Sequence, residues 1–192
     1  CWRWCWCWRW AVVQLGHLLL EGSDFSAQLL GVRCRADAFI FLIPSHKRIA
    51  FVFSRTSAES GTNGGGLPAI SFSSDEGKTW SKPLIIGSPK DEGPWYAMND
   101  RMIQIRSGRL IIPAATIGGK GGEGDNEGGY CFFSDDVGAT WKKSTGRAEI
   151  SVNPGLGMQE PCVVERKDGS LLMLARTGKG SHYKSISTDG GL

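Results

Sequence analysis

No apolar run in these 192 residues approaches the roughly 20 needed for a membrane-spanning helix, so no membrane span is expected. Neither sign of charge dominates. Lys and Arg number 22 against 19 Asp and Glu, a net charge of +3 that by itself predicts no nucleic-acid partner. Histidine is scarce, and His17, His46 and His182 share no spacing that suits a metal site or a catalytic triad. Paired cysteines are missing too: Cys1, Cys5 and Cys7 crowd one terminal tract, while Cys34, Cys131 and Cys162 form no CxxC motif. Neither a zinc site nor a disulfide framework is indicated, and no metal or other cofactor is called for. What is abundant is glycine, at 27 residues, and tryptophan, at 8. With 41% hydrophobic and 21% charged residues the chain has ordinary globular composition. High glycine with scattered aromatics favours many short strands joined by tight turns.

Residues 1–37 stand apart. Trp2, Trp4, Trp6, Trp8 and Trp10 alternate with Cys and Arg, the pattern of a cationic Trp-rich strand or of a low-complexity fragment edge. Ala11 to Leu20 is apolar, but Glu21-Gly22-Ser23-Asp24 follows without a small-x-small cleavage site, so it does not read as a signal peptide. This segment is read as artefactual or disordered, and residues 38–192 as the folded part.

From Ala38 onward the pattern is all-β. The runs Ala38–Ile43 and Ile49–Phe53 flank Pro44-Ser45-His46-Lys47 and predict an antiparallel hairpin. Met102–Ile105 and Arg109–Pro113 repeat that form around Arg106-Ser107-Gly108, as do Cys162–Glu165 and Ser170–Ala175 around Lys167-Asp168-Gly169. Asp-Gly between apolar runs is a strong hairpin signal, and no sustained 3.6-residue period competes with it.

An internal repeat organises these hairpins. Ser73-Ser74-Asp75-Glu76-Gly77-Lys78-Thr79-Trp80 recurs as Ser134-Asp135-Asp136-Val137-Gly138-Ala139-Thr140-Trp141, and begins again at Ser187-Thr188-Asp189-Gly190-Gly191. The three Asp are 61 and 53 residues apart, a period that signals a propeller or solenoid. The motif suits a turn: Ser and Asp side chains bond nearby backbone N–H groups, Gly takes a positive φ, and Trp packs the turn on its sheet. A calcium loop would need more carboxylates and a bidentate Glu at its end. The chain opens on Cys1 rather than Met and stops inside the third copy, so it reads as a piece of a longer protein.

S-x-D-x-G-x-T-W resembles the Asp box of sialidases, and a second stretch sharpens the resemblance. Gln159–Arg176 is similar to the sialidase pattern E-x-x-V-V-E-x-x-D-G-x-L-x-x-x-x-R, with the same 16-residue step from Glu160 to Arg176. Asn99–Pro113 resembles the family's G-I-Q-L-x-x-G-R-L-x-x-P hairpin. The resemblance covers about Phe39 to Gly191. It implies an incomplete six-bladed β-propeller, here about three blades of four-stranded antiparallel sheets, with the boxes remote from the active site.

The implied activity is that of an exo-α-sialidase releasing terminal sialic acid from sialylated glycans. Guanidinium groups bind carboxylates in a bidentate fork, which fits the anionic sugar. A carboxylate nucleophile would be repelled by that charge, and sialidases use a neutral Tyr instead. On this resemblance Glu160 would draw the Tyr proton, and Arg176 would grip the substrate carboxylate. Two charges at strand ends that merely pair with each other are the plain alternative. Arg55 matches a pocket-lining Arg. Arg35 falls near the first carboxylate-binding Arg, although Ala36-Asp37 follows it where the family has Ile-Pro. The general acid should sit soon after Arg55; Glu59 is the only carboxylate in the loop Thr56–Gly66, and a solvated loop Glu is the alternative. A third Arg and the Tyr are expected beyond Leu192. The resemblance favours a secreted or periplasmic protein.

Other motifs lead nowhere catalytic. Gly119–Gly124 fits G-x-G-x-x-G but precedes the strand Tyr130–Phe133, not the helix a dinucleotide site needs. The loop Gly118–Gly129 reads instead as an overhang shaping substrate access. Tyr183 reads as core or rim, and Trp95-Tyr96 as sugar-stacking or packing. The alternative function is a non-catalytic Asp-box propeller that binds glycans or proteins.

Overall fold

The computed structural model describes residues 34–55, 67–87, 95–96, 101–116, 128–149, 158–177 and 180–192. Three antiparallel sheets account for them. The first runs β1 (Cys34–Ile43), β2 (Arg48–Arg55), β3 (Leu67–Ser73), β4 (Leu84–Ile85) in spatial as in chain order. The second is built on β7 (Leu110–Thr116) and β8 (Gly128–Ser134). β5 (Trp95–Tyr96) and β6 (Ile103–Gln104) pair one side of β7; β9 (Lys142–Lys143) and β10 (Ala148–Glu149) pair the far side of β8. The third is β11 (Gln159–Glu165), β12 (Leu171–Arg176) and β13 (Tyr183–Ser187).

The expected uniform four-stranded blades are therefore only partly seen. The first sheet has four strands, the second has six segments, and the third has three among the described residues. Register explains the second. Trp95 pairs with Thr116 and Ile103 with Ile111, so eight residues on one side span five on the other. The pairing register with β7 therefore differs by three residues between β5 and β6, the two short strands described on that side.

All three expected hairpins form. Pro44–His46 makes a 3-10 turn closed by Lys47 at φ 47, and Gly108 and Gly169 take the positive φ their turns require, at 91° and 87°. The repeat turns match one another closely. Ser73 Oγ accepts from the Gly77 N–H at 2.8 Å and donates to Asp75 Oδ1 at 2.8 Å. Asp75 accepts the Thr79 N–H at 2.9 Å and the Thr79 hydroxyl at 2.6 Å. Ser134, Asp136, Gly138 and Thr140 repeat these contacts at 2.7, 2.7, 2.8 and 2.5 Å, and Ser187, Asp189 and Gly191 begin them again. Trp80 and Trp141 donate their indole N–H to Gly77 and Gly138 carbonyls. These bonds, the Thr79 hydroxyl first, hold the Asp75 carboxyl down at about 2; Thr140 does the same for Asp136.

The middle sheet is covered on both faces. Tyr130, Phe132, Leu110, Ile112 and Ala114 pack with Phe39, Val52 and Ile70 of the first sheet. The alternate residues Cys131, Phe133 and Ile111 pack with Val163, Leu171 and Met173 of the third. Two-sided burial is why β7 and β8 read as unbroken apolar runs instead of alternating ones. Arg106 ties the second sheet to the third hairpin. Its Nε lies 3.1 Å from Glu165 Oε1, and its other nitrogens donate to the Arg166 and Lys167 carbonyls.

Candidate functional site

The candidate site lies where β11 begins and β12 ends. Gln159 pairs with Arg176 and Cys162 with Leu174, so Glu160 and Pro161 together face the single residue Ala175. That is a β-bulge, a device that re-aims a side chain. Sequence supports it locally, because Pro161 has no N–H for a regular ladder. Glu160 sits at φ 51, inside the left-handed region and uncommon for a residue with a Cβ.

The bulge brings the two principal predicted residues together. Arg176 Nη2 lies 3.6 Å from Glu160 Oε1, an ion pair that is too long for a tight hydrogen bond. Arg176 also donates to Gln159 Oε1. The Arg176 and Glu160 side chains are 56% and 30% exposed, so the pair faces solvent and adds little to stability. Solvent access is what a ligand-binding pair requires, and both the catalytic and the simple strand-end readings of these charges accommodate the distance.

Arg101, from the second sheet, donates to the Glu160 carbonyl. Sequence reasoning gave Arg101 no role. The available signal was an offset: Arg101 precedes Glu160 by 59 residues, the same step that separates Arg106 from Glu165.

The remaining predicted residues are less completely seen. Arg35 lies within an irregular stretch of β1 between the pairs Cys34–Arg55 and Ala38–Phe53, and Arg55 ends β2. Both thus occupy the end of the first sheet that corresponds to Glu160 and Arg176 in the third, but their side chains lie outside the described part of the structure. Glu59, the G-x-G-x-x-G loop and the 1–33 tract lie outside the described residues. Tyr183, 38% exposed, stands on the rim of the third sheet. Among the described residues no group of three His, Cys, Asp or Glu side chains is placed to hold a metal ion, and no helix is long and apolar enough to cross a membrane.

Comparison with known proteins gives a consistent picture. The family model of the BNR repeat-like domain matches residues 37–192. A sialidase of Micromonospora viridifaciens is 32% identical over 157 residues, covering 73% of this chain and 23% of that protein. Among solved structures, a protein of unknown function from Dyadobacter fermentans superposes with a TM-score of 0.64 at 21% identity, over 80% of this chain and 47% of its own. The Hadza microbial sialidase Hz136 superposes at 0.60 and 22% identity, over 81% and 31%. The chain therefore spans less than a quarter of the curated relative and less than half of either solved structure.

Proposed function

The chain belongs to the BNR repeat-like domain family, within the sialidase superfamily, and from that premise we propose that it supplies part of the active site of an exo-α-sialidase acting on sialylated glycans. The observation that carries this reading is the bulge at Glu160. A carboxylate in a left-handed backbone conformation, aimed at a solvent-facing guanidinium, is local strain of the kind that concentrates at functional sites.

In this reading Arg176 binds the carboxylate of the sugar, a positioning role that fixes the anomeric carbon near the reacting groups. Glu160 accepts the proton of a Tyr nucleophile and stabilises positive charge developing on the sugar. Arg35 and Arg55 complete the anion-binding end, and Glu59 serves as general acid to the leaving oxygen. The six-bladed wheel is part of the same proposal.

The second reading is a non-catalytic propeller that binds glycans or proteins. It is favoured by Ala36-Asp37 after Arg35 and by the absence of any Asp between Thr56 and Gly66.

Hydrolysis of a fluorogenic α-sialoside separates the two. It is measured for a longer protein containing this chain, beside its Glu160→Gln and Arg176→Ala variants; this chain by itself, with the Tyr and the third Arg expected beyond Leu192, is expected to show little or no turnover. The enzyme reading expects turnover that collapses in both variants. Equal turnover in all three removes these residues from the site.

A further inference from the structure

We propose that Arg101 is a positioning residue, which holds Glu160 in its left-handed, bulged backbone and so aims the Glu160 carboxylate at Arg176. The inference draws its functional consequence from the sialoside reading above, whereas its geometry stands independently of it.

Arg101 precedes β6 by two residues and reaches the third sheet from there. Along the segment that carries β6, Met102 packs into the core shared with the first sheet, and Gln104 Nε2 bonds Ser45 Oγ there at 2.8 Å. The intervening Ile103 and Ile105 pack into the core shared with the third sheet. Arg101 lies two residues before Ile103 in this segment. Its guanidinium meets the Glu160 carbonyl.

That carbonyl belongs to the residue where the ladder has lost its one-to-one register. A Glu at φ 51 persists only where surrounding contacts over-determine it. The carboxylate end of Glu160 is only partly buried and loosely paired, so it offers little restraint. The charged donor on its carbonyl is the contact suited to fix the peptide plane, since hydrogen bonds to ionised groups are the stronger kind. Arg101 thereby governs where the carboxylate points without touching a substrate.

Arg106 supplies the internal control. It stands five residues further along the same segment and binds the other end of β11, with its backbone N–H 2.8 Å from Glu165 Oε2 and its guanidinium on Glu165, Arg166 and Lys167. None of those three residues has a positive φ. Arg106 is thus a tether between the same two sheets with no strained residue at its end.

The experiment uses the whole chain, isotopically labelled, with two readings. The first is the Glu160 Cα and Cβ chemical shifts, which separate left-handed from extended backbone. The second is affinity for methyl α-N-acetylneuraminide. Arg101→Ala and Arg101→Met are compared with Arg101→Lys and Arg106→Met; the Met variant keeps the apolar stem should the Ala variant fail to fold. Removal of the donor is expected to move Glu160 to extended shifts and to weaken binding roughly tenfold. Lys, which keeps a charged donor, is expected to retain the wild-type shifts, and Arg106→Met to leave both readings unchanged while lowering the melting temperature. Wild-type Glu160 shifts in Arg101→Met, or equal displacement in Arg106→Met, would overturn the proposal. A wild-type chain that binds no sialoside instead refutes the reading under which Glu160 and Arg176 form a sialoside site, and the shift comparison still decides the role of Arg101.

Discussion

Gly77 and Gly138 occupy the same place in two copies of one turn, yet alanine should be far costlier at the second. Both have positive φ, 82° and 89°, so a Cβ costs each about 1–2 kcal/mol in backbone conformation. Their surroundings differ. A Cβ on Gly77 would meet only Trp80 Cζ2, at an ordinary 3.7 Å, whereas on Gly138 it would lie 2.3 Å from Phe72 Cζ. Carbon atoms in good contact stand about 3.5–4.0 Å apart, so the ring or the turn must shift by more than an ångström. Phe72 has little room, being buried with the Arg48 guanidinium 4.3 Å above its ring. Overpacking of this kind adds about 1–3 kcal/mol. Gly77→Ala is therefore expected to cost about 1–2 kcal/mol and Gly138→Ala about 2–5. At roughly 2–4 °C per kcal/mol for a chain of this size, Gly138→Ala should melt about 2–12 °C below Gly77→Ala. Calorimetry or circular dichroism reads the difference. Phe72→Leu in the Gly138→Ala background should return part of it, because neighbouring changes couple. Equal losses in the two single variants would show that Phe72 of the first sheet is not fixed beneath the turn of the second.

Three further outcomes follow from the same packing and electrostatics. The carboxyls of Asp75 and Asp136 are lowered from 3.8 to about 2 by the Thr79 and Thr140 bonds. Their stabilisation is thus complete above the unfolded value and is lost as pH falls from about 4 through 2; urea titrations across that window should show a slope that shrinks in the Asp75→Asn, Asp136→Asn double variant. Burial pushes the Cys131 thiol up to about 12, while Cys162 is exposed. Iodoacetamide at pH 8 should then label the Cys162 peptide and spare the Cys131 peptide until denaturant is added, as peptide mass spectrometry would show. Arg106→Ala removes an ion pair whose Arg side chain is 61% exposed. The expected cost is about 1 kcal/mol, reduced by salt in the wild type.

Local chemistry made much of the fold legible. Asp168-Gly169 and Arg106-Ser107-Gly108 between apolar runs fix hairpins, because few residues other than Gly adopt those φ values. The S-x-D-x-G-x-T-W turns carry their own bonding partners within eight residues, so a single copy suffices to read them. The three-residue register difference between the β5 and β6 pairings was not legible, since it is a property of the partner strand as much as of the segment itself. The site divides in the same way. Glu160 and Arg176 were found through their resemblance to a family pattern, and no rule of spacing alone would have joined them. The bulge that brings them within 3.6 Å involves Pro161, visible in the chain, and Arg101, which acts from another sheet. Sequence displays only the first of these, because the second depends on how two sheets stack.

The most direct measurement of the central claim is the affinity of this chain for methyl α-N-acetylneuraminide, wild type against Arg176→Ala, by calorimetric or NMR titration at fixed salt. A charge-assisted bond from Arg176 to the sugar carboxylate predicts roughly a tenfold or greater loss in the variant, with the fold unchanged in its amide spectrum. The same affinity in both proteins would contradict the account and reduce Arg176 to a strand-end partner of Glu160.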